Sequence, residues 1–298
     1  MENITEPNAS SSTSLLRTYC RFLRSPNLLL PPDSISAKQA RSHTLRLYSI
    51  HLLLILLSLV AIQAFGLQEN NLSQGLFEQM PAWTLFLVAV VAAPVIEETI
   101  FRLPLRPFAS SITLISSFIL YAGLAVAQVA PGILLVALAM LVALNVYVWS
   151  QRSRVILFKK FYSQYPRLIF YFFTLLFGIV HIGNYTREVW MLLPLLVLPQ
   201  TIIGLWLGFV RLRYGFGWSI FAHGFHNGCV LLPTLLFKVF GSDKFQAQAF
   251  DTGDIKALPA TDNVLIGIVV LFVLGGLALC CKTAWTMIGE WSQSSSSL

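Results

Sequence analysis

Ala92-Ala93-Pro94-Val95-Ile96-Glu97-Glu98-Thr99-Ile100-Phe101-Arg102 closes an otherwise uncharged apolar run that begins near residue 82 and is long enough to cross a bilayer. A charged side chain at mid-bilayer costs roughly 2.5 to 3.5 kcal/mol on insertion scales, so intramembrane Glu and Arg usually face protein or a water-filled cavity and mark function. The stretch predicts a membrane-spanning helix with a polar site inside it. On that helix Glu98 and Arg102 are four apart with the acid N-terminal, the favourable order for an ion pair on one face. Glu97 points about 100° away, as 3.6 residues per turn requires. One acid is thus neutralised by its own helix and the other is left to face what the fold brings to it, unless both belong to a packing network around Arg102.

The rest of the chain agrees with a membrane setting. Of 298 residues, 56% are hydrophobic and only 11% charged, where an ordinary soluble domain has about a quarter charged. The fold class expected is all-α, a polytopic transmembrane helical bundle; a β-barrel would alternate apolar and polar residues. Spans of about 20 apolar residues are expected near 47–67, 82–101, 110–130, 132–150, 168–184, 189–210, 217–240 and 263–282, eight in all. This divides the chain into an N-terminal segment 1–46, partly disordered and cytoplasmic, a transmembrane domain 47–282, and a tail 283–298. Residues 1–12 and the Ser-rich end from Ser292 offer little to bury and read as disordered.

The net charge of +7 comes from basic residues in short stretches between apolar runs. They read as topology signals under the positive-inside rule and not as a nucleic-acid surface. Arg17, Arg21, Arg24, Lys38, Arg41 and Arg46 precede the first span, whereas the next connection holds Glu69 and Glu78 and no Lys or Arg. The N-terminus is therefore expected in the cytoplasm. The four cysteines form no CxxC pair and no metal-ligand spacing. Cys280 and Cys281 read as small packing residues, with acylation as the alternative.

Two further polar groups lie in apolar spans. Phe177-Gly178-Ile179-Val180-His181 places Phe177 and His181 on one face, although a lone intramembrane histidine can simply bond a neighbouring helix. Ser219-Ile220-Phe221-Ala222-His223-Gly224-Phe225-His226-Asn227 puts His223 and Asn227 one turn apart, with His226 at the edge of that face. Polar side chains this dense are hard to explain as packing alone. A carboxylate, two or three imidazoles and an amide can activate water and stabilise an oxyanion. HExxH is absent, as are GxSxG and any Asp in the expected spans, so a helical zinc protease, a serine intramembrane protease and a paired-Asp protease are unsupported.

Glu97-Glu98-Thr99-Ile100-Phe101-Arg102, Phe177 to His181 and His223 to Asn227 resemble, in order, the EExxxR, FxxxH and HxxxN motifs of the CAAX protease and bacteriocin-processing (Abi) family of intramembrane endopeptidases, related to the Ras-converting CAAX prenyl protease. The resemblance covers roughly residues 82–240. It implies that Glu97 activates the attacking water with help from His181, that His223 and Asn227 stabilise the oxyanion, and that Glu98 and Arg102 support the motif helix. The family has also been described as metal-dependent. Glu97, His181, His223 and His226 offer donors that zinc accepts, but Asn227 is a poor zinc ligand and a good oxyanion donor, so a mechanism without metal or other cofactor is preferred.

The expected substrate is a membrane-associated protein or peptide, with prenylated CAAX tails as one class. The short chain and plain loops resemble the prokaryotic branch, which implies a plasma-membrane location. An inactive scaffold of the same fold is the alternative, and a transporter a third. His181 lies 14 residues beyond Arg167, about 21 Å along a helix, farther from the inner side than Glu97 or His223. A helix starting within 155–165, or a strong tilt, would reconcile them.

Overall fold

The computed structural model describes residues 14–67, 79–106, 159–242 and 259–296, with isolated helical positions between 133 and 150. The described elements are helices. α1 is Leu15–Arg24 and α2 Ala37–Ala64. α3, the motif helix, runs over Ala82–Leu105. α4 is Pro166–Val180, with a 3₁₀ turn His181–Asn184 at its end. α5 is Leu198–Arg213, α6 Phe216–Phe240 and α7 Ala260–Ser296.

Five of these helical stretches are long and apolar enough to cross a membrane, and a sixth arises if Arg187–Leu196 and α5, bent by 42°, form one span. These six correspond to six of the eight expected spans. The span expected at 110–130 lies outside the described residues, and that at 132–150 largely so. The bend falls where Pro199 opens α5, a residue that cannot donate to the preceding turn.

Local chemistry sets the helix starts. Ser36 and Gln39 form a reciprocal capping box, Gln39 N–H donating to Ser36 Oγ at 3.2 Å and Ser36 N–H to Gln39 Oε1 at 3.0 Å. α2 therefore begins ten residues before the apolar run expected from 47. α4 starts with Pro166 at its first position, where the missing N–H has no helical partner to lose. A separate helical stretch at 159–164 ends at Tyr165, so α4 itself is not lengthened into 155–165. α6 follows Gly215, whose φ of +109° is one that L side chains rarely adopt.

The core is built around α5, which packs against α2, α4 and α6 and buries Ile203, Trp206, Leu207, Phe209 and Val210. α1, which has no span-length signal, joins this core. Phe22 meets Phe170 and Phe209 edge-on at 5.2 and 5.1 Å between centroids. The Tyr19 hydroxyl donates to His51 Nε2 at 2.8 Å, with His51 Nδ1–H donating to the Leu47 carbonyl at 2.7 Å. Residues after α1 form a strap held by Arg106, which donates to the Leu28, Leu30 and Leu212 carbonyls. Asp33 pairs with Arg213 at 2.8 Å. Tyr162 donates to the Pro104 carbonyl, and burial pushes its phenol up to about 12, so it remains a donor. α7 continues as helix beyond the boundary expected at 282. Met287 is fully buried on it, and Glu290 accepts two 2.6 Å bonds from Arg46 of α2.

Candidate active site

The motif helix is not a uniform α-helix. Phe86–Ala92 forms a π-helical segment, followed by α-helix over Ala93–Phe101. In this register the Ala93 amide donates to the Val88 carbonyl, and the next residue, Pro94, has no N–H. The Ala89 carbonyl is thereby deprived of an intrahelical donor. Asn227 of α6 supplies one, Nδ2 donating to it at 2.8 Å. A sequence-local consequence of one proline thus seats the amide of the third motif against the first. Close approach of the two helices at this level uses Gly224, where a Cβ would stand 2.8 Å from the Val90 carbonyl oxygen.

Two turns further along α3 the acids separate as expected. Glu98 is completely buried, with Arg102 also buried beside it. The Arg102 Nε lies 3.6 Å from Glu98 Oε1, an ion pair too long to be a hydrogen bond. The carboxylate takes its hydrogen bonds from α6 instead. Ser219 Oγ donates to Oε2, and His223 Nδ1 lies 3.0 Å from Oε1. Arg102 lays its guanidinium 3.8 Å over the Phe177 ring, a contact worth about 2 kcal/mol when desolvated, while its NH1 and NH2 have no hydrogen-bond partner.

Phe177, 1% exposed, is the floor of the site. Its ring centroid is 4.8 Å from that of His181 and 5.8 Å from that of His223, and Phe101 of the motif helix meets it at 5.4 Å. His181 Nδ1 lies 2.7 Å from the Phe177 carbonyl. A carbonyl only accepts, so that nitrogen carries the hydrogen, and neutral His181 presents an Nε2 lone pair. The bond from Nδ1 to Glu98 fixes His223 in the same tautomer.

Both Nε2 atoms approach Glu97. Its Oε2 is 3.6 Å from His223 Nε2 and 4.0 Å from His181 Nε2, and has no hydrogen-bond partner although the atom is buried. Three acceptors around one small space call for a proton donor between them, and a water molecule offers two hydrogens. The donor types are also those zinc accepts. However, among the described residues no group of three or more His, Cys, Asp or Glu side chains is arranged to hold a metal.

Of the residues singled out in the sequence, Glu97, Glu98, Arg102, His181 and His223 are linked by contacts at the junction of α3, α4 and α6, and Asn227, one turn beyond His223, holds α3 at Ala89. His226 does neither. It faces α2, with Nδ1 3.3 Å from the Tyr48 hydroxyl. Ser219 has no motif of its own, but it stands four residues before His223 and so shares its face.

A family model described as type II CAAX prenyl endopeptidase Rce1-like matches residues 152–229. That stretch contains His181, Ser219, His223 and Asn227, while Glu97, Glu98 and Arg102 lie upstream of it. No curated protein and no solved structure matches the chain. Helices of membrane-spanning length, the two histidine motifs within the matched region and the acidic motif folded against them point the same way: over residues 152–229 the chain is similar to the type II CAAX prenyl endopeptidase family, and it carries helices long and apolar enough to cross a membrane.

Proposed function

We propose that the chain is an intramembrane endopeptidase that hydrolyses peptide bonds of membrane-associated substrates, with Glu97 activating water, His181 assisting, and His223 and Asn227 stabilising the oxyanion. The observation that carries the proposal is the convergence of Glu97 Oε2, buried and unpartnered, with the Nε2 atoms of two histidines. A water held there gives a proton to Glu97 as its oxygen attacks the scissile carbonyl carbon. The oxyanion that forms needs donors. Asn227 Nδ2 carries two hydrogens, of which Ala89 takes one, and His223 becomes a donor at Nε2 by taking up the water's proton from Glu97 Oε2, 3.6 Å away. That one proton then returns through Glu97, with His181 beside it, to the departing amine as the C–N bond breaks. The products are a carboxylic acid and an amine.

The reading places the N-terminus in the cytoplasm and the protein in a prokaryotic plasma membrane, on the charge pattern and the plain loops described above. An apolar groove of about 560 Å³, lined by Phe86, Val90, Val95, Phe221, Gly224 and Phe225 among others, runs along the same two helices that carry Glu97 and His223. No catalytic residue lines it. It supports a substrate with an apolar or lipid-bearing segment, a prenylated CAAX tail among them.

The test is cleavage of a peptide library, with and without a lipidated cysteine, by purified protein in lipid. Wild type, Glu97→Gln and a chelator-treated sample are compared. Cleavage that the chelator leaves intact, and that depends on Glu97, is expected. Cleavage lost on chelation would replace the metal-free mechanism by one in which Glu97, His181 and His223 bind an ion. No cleavage of any member would favour the inactive scaffold.

A further inference from the structure

We propose that Ser219 is a positioning residue, which holds the Glu98 carboxylate so that His223 presents an unprotonated Nε2 to Glu97. The inference rests on the reading of Glu97 as the carboxylate that activates water and of His223 as the imidazole that takes up its proton and then donates to the oxyanion. Three observations carry it. Ser219 and Glu98 are both completely buried, so neither can exchange its partner for bulk water. The Ser219 hydroxyl has one hydrogen and two acceptors in reach, Glu98 Oε2 and, at 3.3 Å, the Leu207 carbonyl. The charged acceptor is the stronger, since bonds to an ionised group are about twice as strong as neutral ones. Finally, the other oxygen of the same carboxylate accepts from His223 Nδ1 at 3.0 Å.

The consequence is geometric. A carboxylate has two oxygens, and its plane can rotate about the bond to the side chain. Arg102, its Nε 3.6 Å from Oε1 and its NH1 and NH2 without a hydrogen-bond partner, does not fix that rotation. Ser219, by holding Oε2, does. With the plane fixed, Oε1 stays in line with His223 Nδ1, the hydrogen stays on Nδ1, and the Nε2 lone pair is directed at Glu97 Oε2, 3.6 Å away. A carboxylate that fixes the tautomer of a working histidine is a recurrent device. Here the carboxylate is itself held from the helix that bears the histidine, Ser219 and His223 being one turn apart. Without the hydroxyl, Glu98 Oε2 is an orphaned acceptor in the core. The carboxylate then turns to find another donor, and His223 divides between its two tautomers.

The experiment records the nitrogen-15 spectrum of histidine-labelled protein in lipid, and in parallel the kcat and KM for the best library peptide, normalised to folded protein. Wild type, Ser219→Ala and Ser219→Thr are compared. Expected is a single His223 tautomer with Nε2 unprotonated in wild type, a mixture in Ser219→Ala, and recovery in Ser219→Thr, which keeps the hydroxyl. The kcat of Ser219→Ala should fall at least tenfold with KM unchanged, and that loss should largely vanish in a Glu98→Gln background, where there is no carboxylate to orient. An unchanged His223 spectrum in folded Ser219→Ala overturns the proposal whatever the activity. A Ser219→Ala defect equal in both backgrounds, or one cured by restoring the folded fraction, overturns it too. If wild type cleaves nothing while the tautomer responds to Ser219 as expected, the endopeptidase reading fails and the positioning role stands.

Discussion

Glu97 and Glu98 are adjacent in the chain and opposite in circumstance. Glu98 is sealed among Arg102, Ser219 and His223, while Glu97 keeps a quarter of its side chain exposed and one oxygen without a partner. Removing one member of a buried pair leaves the other as an uncompensated charge, at a cost of about 3 to 5 kcal/mol. Glu98→Ala and Arg102→Ala are therefore each expected to lower stability by that order, read as the midpoint of thermal unfolding in detergent. Melting equal to wild type would show that the pair is not structural. The division between the two acids is legible in the sequence, because an i,i+4 acid and base on one helix is a local matter. What is not legible is that Glu98 draws its hydrogen bonds from α6 and not from its own helix, for those contacts join residues more than a hundred positions apart. The same distance hides Ser219, and it leaves the position of His226 open until α2 is seen to occupy its side.

The elements are where regular patterns in the sequence are most and least informative. Apolar runs announce six of the described helical spans, but the π-helical segment of α3 reads as an ordinary apolar helix, and only Pro94 hints at a free carbonyl. Pro94→Ala restores an N–H able to compete for the Ala89 carbonyl. It is expected to leave stability equal or higher and to lower kcat about tenfold, the kinetic equivalent of one net hydrogen bond of about 1.4 kcal/mol. Full activity in that variant would remove Asn227 anchoring from the account. At the same contact, Gly224→Ala forces the α6 backbone away from α3, because a Cβ there would stand 2.8 Å from a backbone oxygen. A destabilisation of about 1 to 3 kcal/mol is expected, checked by denaturant titration, and a neutral effect would mean that the two helices do not approach so closely. α1 is too short and too basic to register as a span. Its role rests on Tyr19 and Phe22, so Phe22→Ala should cost about 3 kcal/mol by leaving a cavity between Phe170 and Phe209. A surface helix would lose almost nothing by the same change.

At the scale of the whole molecule, the three motifs face one another because α3 runs antiparallel to both of its partners. Along α4, Glu97 faces His181 and Phe101 faces Phe177; along α6, Glu98 faces Ser219 and Ala89 faces Asn227. The mismatch in depth that the sequence raises for His181 narrows in the structure. α4 does begin at Pro166, so His181 stands 15 residues in, about 22 Å. But α3 continues in helical turns to Leu105, eight residues past Glu97, about 12 Å. The two counts differ by about 10 Å, which a tilt of α4 or an offset between the helix ends takes up, and α4 itself starts no earlier than Pro166. The sequence orders the motifs without revealing the depth at which they meet, because span boundaries drawn from hydropathy stop at Arg102 while the backbone does not. The central claim is that Glu97 does chemistry and Glu98 does not, and the most direct test sets Glu97→Gln beside wild type in one measurement, peptide hydrolysis per folded molecule in lipid. The account predicts a melting temperature equal to or above that of wild type with hydrolysis reduced at least a thousandfold, about 4 kcal/mol of transition-state stabilisation. Hydrolysis retained within tenfold of wild type in folded Glu97→Gln would contradict it.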